Sequence, residues 1–379
     1  MAKSNKKYME LALELARRGY GDVEPNPMVG CVIVKDDRII GRGWHKNYGG
    51  PHAEINALED CLKNGHDPAG STICVTLEPC CHTGKTGPCT DAIINAKAAK
   101  VIAAMEDPSD KVAGKGLAAL SQAGIRVSVG TCRKQAMLLN PAFIKYSKTG
   151  LPWVILKWAQ TLDGKLAAAE INDENRWISG DAARKDVHKL RRSCQAVLTG
   201  TGTLLADDPL LTPRPDKGKK PLRVVLDREL KIPIESNMVK TAGEFPVLVI
   251  TSVKAEKNSE KTPVLREKGI EVMGIEPADG KIRLQTVLKE LGSRKIQRLL
   301  VEAGPRLLTA FMQDNLADEA VIYSAPKLLG AAGTADINRE ITSAGIKPTL
   351  YHTETALLGY DTRIRAMFRH VSQIAQAEF

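Results

Sequence analysis

No apolar run in the 379-residue chain approaches the roughly 20 residues that a helix needs to span a bilayer. The opening stretch, MAKSNKKYMELALELARRGY, lacks the apolar core of a signal peptide. Met9, Ala12, Leu13 and Ala16 instead fall at helical spacing, which predicts a surface helix. A cytoplasmic, reducing location is therefore expected, with the eight cysteines acting as thiols or metal ligands rather than disulfides. Aromatic residues are scarce, at 4%, and no basic–aromatic run suited to stacking bases is present. Collagen-like periods, low-complexity tracts and internal repeats are also missing, which excludes fibrous and largely disordered chains.

Hydrophobic residues make up 43% and charged residues 26%, the balance of a globular protein, and the length suits two domains or three. Lys and Arg outnumber Asp and Glu by 54 to 44, a formal charge of +10. Such a surplus suits anionic partners, nucleic acid or phosphorylated small molecules, unless it is spread over solvated faces.

Strand and helix signals alternate in both halves, which predicts α/β architecture throughout. Residues 29–34 and 38–41 read as a hairpin, 52–63 as a helix, 71–77 as a strand ahead of a Cys/Gly/Pro-rich loop, and 91–99 as a helix. A strand at 100–105, a helix at 116–123 and a strand at 125–129 follow. Turn chemistry in Tyr146–Pro152 places a boundary there, giving domains 1–148 and 149–379. Beyond it, strands are expected at 153–158, 196–199, 222–226, 246–250, 270–275, 298–301 and 319–324, and helices at 181–192, 284–291 and 305–313. The Lys/Pro-rich stretch 213–221 reads as an exposed loop.

Three elements of the first half point to a metal: His52-Ala53-Glu54, then Pro79-Cys80, then Cys89 after eight intervening residues. One imidazole and two thiolates suffice for a catalytic zinc with its fourth position open to water. Zinc lowers the pKa of a bound water from 15.7 to about 7. Glu54, two residues from His52, is placed to take a proton and pass it to a departing nitrogen. A helix opening on His-Ala-Glu and a strand leading into Glu-Pro-Cys make the combination far more specific than its parts. Cys81 and His82 are rival ligands in the same loop, and a fourth ligand would make the site purely structural. Zinc deaminases combine a His/Cys/Cys metal with a glutamate that is not a ligand.

In the second half, Val301–Leu308 (VEAGPRLL) reads as a strand turning through Gly304-Pro305 into a helix whose amino end suits a phosphate. Gly200-Thr201-Gly202-Thr203 lets backbone approach a ligand closely but lacks the full GxGxxG pattern of a Rossmann site.

PNPMVGCVIV, GWH, PHAE and EPCCHTGKTGPC, followed by LKWAQTLDG, WISG, TGTLLADDPLLTPR and VEAGPRLL, resemble the bifunctional riboflavin-biosynthesis deaminase–reductases. The resemblance covers about residues 5–370, deaminase motifs first. Editing and salvage deaminases usually space their cysteines as P-C-x-x-C; the longer loop between Cys80 and Cys89 is the riboflavin family's. That loop usually ends in TPPC, whereas this chain reads Thr86-Gly87-Pro88-Cys89.

The resemblance implies a cytidine-deaminase-like three-layer domain followed by a dihydrofolate-reductase-like α/β domain, with Zn2+ serving the first and NADPH the second. It implies a diaminohydroxyphosphoribosylaminopyrimidine deaminase coupled to a 5-amino-6-(5-phosphoribosylamino)uracil reductase. In the deaminase half, Asn26, His45, His82 and Lys85 would contact the substrate. In the reductase half, Ala159, Trp177, Thr203, Asp207 and the run Gly304, Pro305, Arg306, Leu307, Leu308, Thr309 and Ala310 would line the cofactor. Asn175, Arg191, Leu211, Arg214 and Glu302 would line the substrate, with Lys157 and Glu302 as polar partners of the ribose being reduced. Position 175 is usually Ser in the family. Arg191 and Arg214 suit a phosphate, which guanidinium binds bidentately. The implied partner is a phosphorylated pyrimidine, with neither nucleic acid nor membrane, acted on by a homo-oligomer.

Two other readings compete. A nucleic-acid base deaminase with an accessory binding domain would use the basic charge, but the cysteine spacing and aromatic scarcity oppose it. A zinc-stabilised binding or regulatory module whose second half has lost activity is opposed, for the first domain, by the intact His-Ala-Glu and both cysteines; the reductase half is more open to that reading.

Overall fold

The computed structural model describes residues 2–81, 87–109, 113–169, 177–215 and 220–368, with side chains from Asn5 onward. It divides the chain into two compact units, Met1–Gly150 and Leu151–Phe379. Among the described residues no helix is long and apolar enough to cross a membrane.

The first unit runs α1 (Ala2–Arg17), β1 (Gly30–Lys35), β2 (Arg38–Trp44), α2 (Ala53–Lys63), β3 (Thr72–Val75), α3 (Cys89–Asn95), β4 (Lys100–Ala103), α4 (Lys115–Gln122), β5 (Arg126–Val129), α5 (Arg133–Leu139) and α6 (Pro141–Thr149). Its sheet has the order β2-β1-β3-β4-β5: an antiparallel hairpin beside β3, then two parallel neighbours. Ile33, Ile73, Val75 and Val101 of the sheet, Ala57 and Cys61 of α2 and Leu120 of α4 are wholly buried in one cluster. Helix α2 lies close on β2 because the strand carries glycine beneath it. A Cβ on Gly43 would overlap the Ala53 carbonyl and the Ala57 amide, and one on Gly41 the Ala57 carbonyl. This close seat fixes the amino end of α2, where His52 and Glu54 sit.

The sequence at Tyr146–Pro152 reads as a turn, but α6 continues through Thr149. Pro141 at its first position starts the helix, and Gly150, at φ 67°, ends it in the left-handed region. The two units divide after that glycine.

The second unit runs β6 (Trp153–Thr161), β7 (Lys165–Ala168), α7 (Asp181–Arg192), β8 (Ala196–Gly200), α8 (Thr201–Asp207), β9 (Leu222–Leu226), α9 (Asn237–Lys240), β10 (Val247–Ser252), α10 (Val253–Asn258), α11 (Lys261–Glu267) and β11 (Glu271–Ile275). It continues with α12 (Leu284–Ser293), β12 (Arg298–Glu302), α13 (Pro305–Gln313), β13 (Glu319–Ala325), β14 (Gly333–Asp336), α14 (Ile337–Ser343), β15 (Leu350–Leu358) and β16 (Asp361–Phe368). Nine strands form one sheet in the order β11-β10-β9-β8-β12-β6-β13-β16-β15. The seven from β11 to β13 are parallel, and β16 and β15 extend the edge antiparallel. The central strands are continuous apolar runs, as a sheet covered on both faces requires: Val154, Leu156, Leu198, Val224, Leu248 and Leu299 are wholly buried. Helices α7 and α13 have charge or ring chemistry matched to their ends. Helix α7 has Asp181 in its first turn and Lys189, Arg191 and Arg192 in its last, and α13 begins on Pro305.

Candidate functional site

In the first unit, His52 caps α2 with an extended backbone, Glu54 lies in its first turn, and Cys89 is the first residue of α3. Cys80 approaches from the loop after β3. His52 Nδ1 lies 3.2 Å from Cys89 Sγ and 3.5 Å from Cys80 Sγ, and the three ligand atoms lie within 4.8 Å of one another. Tetrahedral zinc with Zn–S of about 2.3 Å and Zn–N of about 2.0–2.1 Å has N···S edges of about 3.6 Å, so the three side chains fit the ion. Among the described residues this is the one cluster of metal-ligating type; Cys81 does not join it, and His82 lies outside the described residues.

The electrostatics favour thiolate. The Cys89 backbone N–H donates to Cys80 Sγ at 3.4 Å. A hydrogen bond from the Cys89 thiol, helped by His52 and opposed by burial, lowers Cys80 to about 4, while Cys80 and burial raise Cys89. The two sulfurs thus hold one proton between them, which a divalent ion bound by both would replace. The same Cys80 contact raises His52. Burial lifts the Glu54 carboxyl to about 7 against its backbone hydrogen bond, with the charge of Cys80 adding to the lift. A carboxyl poised near neutrality is suited to both accepting and returning a proton.

His45 is 2% exposed and its ring stands edge-on to His52, with centroids 5.4 Å apart. Its Nδ1 lies 3.0 Å from the Pro51 carbonyl, which can only accept, so Nδ1 carries the proton. Nε2 is then the acceptor for the Asn26 side-chain amide at 3.1 Å. Burial lowers His45 and keeps it neutral. Lys85, like His82, lies outside the described residues.

Glu78, which the sequence reading passed over, anchors the metal loop. Its buried carboxylate accepts from the backbone amides of Asp107 (3.0 Å), Gly114 (2.9 Å), Gly116 (2.8 Å) and Leu117 (3.3 Å), tying the Glu-Pro-Cys turn to the start of α4. Glu78→Ala is expected to destabilise the first unit by on the order of 3 kcal/mol, since it orphans several amides. Faster zinc loss to a chelator, with a lowered Tm, is the readout.

In the second unit, Lys157 on β6 and Glu302 on β12 face each other across adjacent parallel strands. Glu302 accepts from Lys157 Nζ at 3.4 Å, Arg191 Nε at 2.6 Å and Arg191 Nη2 at 3.0 Å. Burial pushes its carboxyl up, but Arg191 and then Lys157 outweigh this and hold it at about 2. Arg191, which its place beside Arg192 could have left facing solvent, therefore turns inward, and its Nη1 also reaches the Thr212 carbonyl at 3.1 Å. Lys157 stands over the Tyr323 ring at 5.8 Å. Tyr323 donates to Asp186 at 2.9 Å, and Asp186 pairs with Arg363.

Of the residues expected at the cofactor, Thr203 and Gly304 meet where the parallel strands β8 and β12 end on the same side, the usual crevice for ligands in an open parallel sheet. Ala159 is on β6; Thr203 lies in the first turn of α8; Gly304 caps α13, whose first residues are Pro305, Arg306, Leu307, Leu308, Thr309 and Ala310. Thr203 Oγ1 accepts from Gly304 N at 2.9 Å, joining the two loops. Thr309 Oγ1 is buried without a partner among the described residues. Trp177 is half exposed beneath the Arg184 guanidinium at 5.2 Å, and Asp207 ends α8. The open amino end of a nine-residue helix beside glycine at 304 fits a dinucleotide phosphate. Gly200, read as a close-approach site, caps α8 in extended conformation, with Leu307 packed 3.2 Å from where its Cβ would lie. Leu211 is buried and Arg214 exposed on the loop before β9; Asn175 lies outside the described residues.

The family model for the cytidine and deoxycytidylate deaminase zinc-binding region matches residues 2–105, and that for the RibD C-terminal domain matches residues 152–357. The riboflavin biosynthesis protein RibD of Aquifex aeolicus (strain VF5) is 43% identical over 328 residues, 86% of this chain and 88% of the relative. The chain belongs to the RibD family. RibD of Escherichia coli (strain K12) is 41% identical over 337 residues, 86% of this chain and 88% of the relative. Among solved structures, Acinetobacter baumannii RibD is 37% identical with a TM-score of 0.81, covering 97% of this chain and 99% of that one. The Thermotoga maritima structure described as a diaminohydroxyphosphoribosylaminopyrimidine deaminase/5-amino-6-(5-phosphoribosylamino)uracil reductase has the same TM-score at 34% identity, covering 97% and 99%. As in RibD generally, a zinc-binding deaminase region is joined to a reductase domain of a family that uses NADPH, and the protein is a bifunctional deaminase–reductase of riboflavin biosynthesis.

Proposed function

We propose that residues 1–150 remove an exocyclic amine from 2,5-diamino-6-ribosylamino-4(3H)-pyrimidinone 5′-phosphate, and that residues 151–379 reduce the product's ribosyl group to ribityl. The observation that carries the reading is the convergence of His52, Cys80 and Cys89 beside a buried Glu54 in the same chain as the Lys157–Glu302–Arg191 cluster. Both comparisons of nearly whole-chain length support it.

Zinc held by His52, Cys80 and Cys89 supplies the Lewis acidity that makes water nucleophilic near neutral pH. Glu54 accepts a proton on its carboxylate as water adds to the amine-bearing ring carbon. It returns that proton to the nitrogen as ammonia leaves, so water enters and ammonia departs with the carboxylate restored. His45 holds the Asn26 amide by its nitrogen, which leaves the amide oxygen to accept an N–H of the pyrimidine. The same reading gives His82 and Lys85, of the loop between Cys80 and Cys89 and outside the described residues, contacts to the substrate, Lys85 to its phosphate.

In the second unit NADPH supplies the hydride, and the chain supplies orientation and charge. Lys157 donates to the oxygen that leaves the anomeric carbon as the ring opens, and Glu302 with Arg191 fixes the ammonium in place. Because Arg191 is committed to Glu302 and Thr212, Arg214 is the cation offered to the phosphate. Asn175 and Leu211 line the same substrate, and the residues joined through Thr203 and Gly304 line the cofactor. The reading implies a cytoplasmic homo-oligomer acting on small molecules, and gives the net charge of +10 a use on phosphorylated substrates.

The test follows ammonia and NADPH together with the diaminopyrimidine phosphate. Ammonia release followed by stoichiometric NADPH oxidation is expected. Deamination of an oligonucleotide, or NADPH oxidation that does not depend on the deaminated product, would contradict it.

A further inference from the structure

Arg223, near the start of β9, is fully buried, yet its guanidinium donates only to neutral oxygens. Nη1 reaches the Leu210 carbonyl at 3.1 Å and Thr241 Oγ1 at 2.8 Å; Nη2 reaches the carbonyls of Met238, Thr241 and Phe245 at 3.3, 3.1 and 2.7 Å. Among the described residues Nε finds no partner, and burial pulls the side chain down to about 10. A buried cation with no carboxylate in hydrogen-bond contact, and only the charge of Glu244 acting on it from farther off, is costly, and an apolar side chain would fill the space more cheaply. What guanidinium alone can do here is bind several carbonyls at once.

One of those carbonyls belongs to the substrate loop. Leu211, directly after Leu210, is buried at φ 52°, a left-handed conformation that a branched side chain rarely adopts. On its other side the Thr212 carbonyl accepts from Arg191 Nη1 and His188 Nδ1, both at 3.1 Å. Earlier in the loop Asp208, at φ 40°, is fastened by Asn237, whose backbone amide reaches Asp208 Oδ1 at 2.8 Å and whose side chain reaches the Asp208 carbonyl at 2.9 Å. Such strain persists only where the surroundings over-determine it, and it concentrates at functional segments.

We propose that Arg223 is a positioning residue of the reductase: by holding the Leu210 carbonyl it keeps the left-handed Leu211 and the following Arg214 in the arrangement that receives the phosphorylated substrate. Arg223 touches neither substrate nor cofactor. The inference rests on the reductase reading of the second unit given above.

The test uses the full-length zinc-loaded enzyme carrying Arg223→Lys or Arg223→Met. KM and kcat for the deaminated substrate, NADPH Kd and Tm are measured on each. Loss of a charged hydrogen bond of this kind corresponds to a KM increase of about tenfold or more. That increase is expected in Arg223→Met, with Arg223→Lys between it and wild type, while kcat and NADPH Kd stay within about twofold. Asn237→Ala, which loosens the same loop at Asp208, is expected to raise KM alone in the same way, and it decides the matter if both Arg223 variants fail to fold. An unchanged KM in a variant that melts like wild type overturns the proposal, as does a loss shared equally by KM, kcat and NADPH Kd. Failure of the wild-type enzyme to reduce the substrate would instead overturn the function assigned to the second unit.

Discussion

Glu54→Gln is expected to slow ammonia release by about 10²–10⁴-fold, the range that general acid–base catalysis contributes, with zinc content unchanged. Glutamine matches glutamate in shape, so the 4%-exposed pocket in the first turn of α2 keeps its packing and His52 keeps its place. What is lost is the carboxylate that, in the proposed mechanism, takes a proton from water and gives it to nitrogen. Oxidation of NADPH by substrate deaminated beforehand stays at the wild-type rate, because that reaction belongs to the other unit. Ammonia release by the variant at the wild-type rate, with zinc present, would show that another group carries the proton.

Glu302→Gln is the second large effect, and it falls on the other activity. Removing one partner of a buried ion pair costs about 3–5 kcal/mol because it strands a buried charge, and here two cations, Arg191 and Lys157, lose their counter-charge. Reductase activity should fall to near background, and the second unit should melt well below wild type, while ammonia release persists. The wild-type acid response follows from the same contact. The Glu302 carboxyl lies at about 2 when folded, against 4.5 ordinarily. Its contribution to stability is therefore complete above 4.5, declines as pH falls from there toward 2, and is gone below. Thermal unfolding of the second unit across that window should show a shallower acid loss in Glu302→Gln than in wild type.

The metal site was legible in the sequence because its chemistry is local: His-Ala-Glu opens a helix and Pro-Cys follows a strand, so spacing carries most of the geometry. The Glu78 anchor was not legible, since a glutamate after a strand reads as solvated and its partners lie at Asp107 to Leu117. Helices α7 and α13 carry their own start signals, Asp181 and Pro305, and form over the expected residues. Helix α8 escaped notice because Thr-Gly-Thr disfavours helix; an extended Gly200 cap and the buried Leu204 form it nonetheless. The closing hairpin of β15 and β16 was missed for a different reason. Most of β15 is exposed, so burial imposes no alternation on Leu350–Leu358, and the strand is held by pairing with β16, itself paired to β13. Arg223 shows the converse: nothing in the strand Leu222–Leu226 marks its arginine as buried, and only the tertiary structure reveals five neutral oxygens around it.

Zinc-edge X-ray absorption on the purified, full-length protein tests the account most directly. One nitrogen and two sulfur neighbours from the chain, completed by a single oxygen from solvent, is the predicted result, with one zinc per chain and loss of the signal in Cys89→Ala. A third sulfur or a second nitrogen in the shell would mean that Cys81 or His82 closes the site, leaving no place for reactive water and contradicting the deaminase chemistry assigned to Glu54.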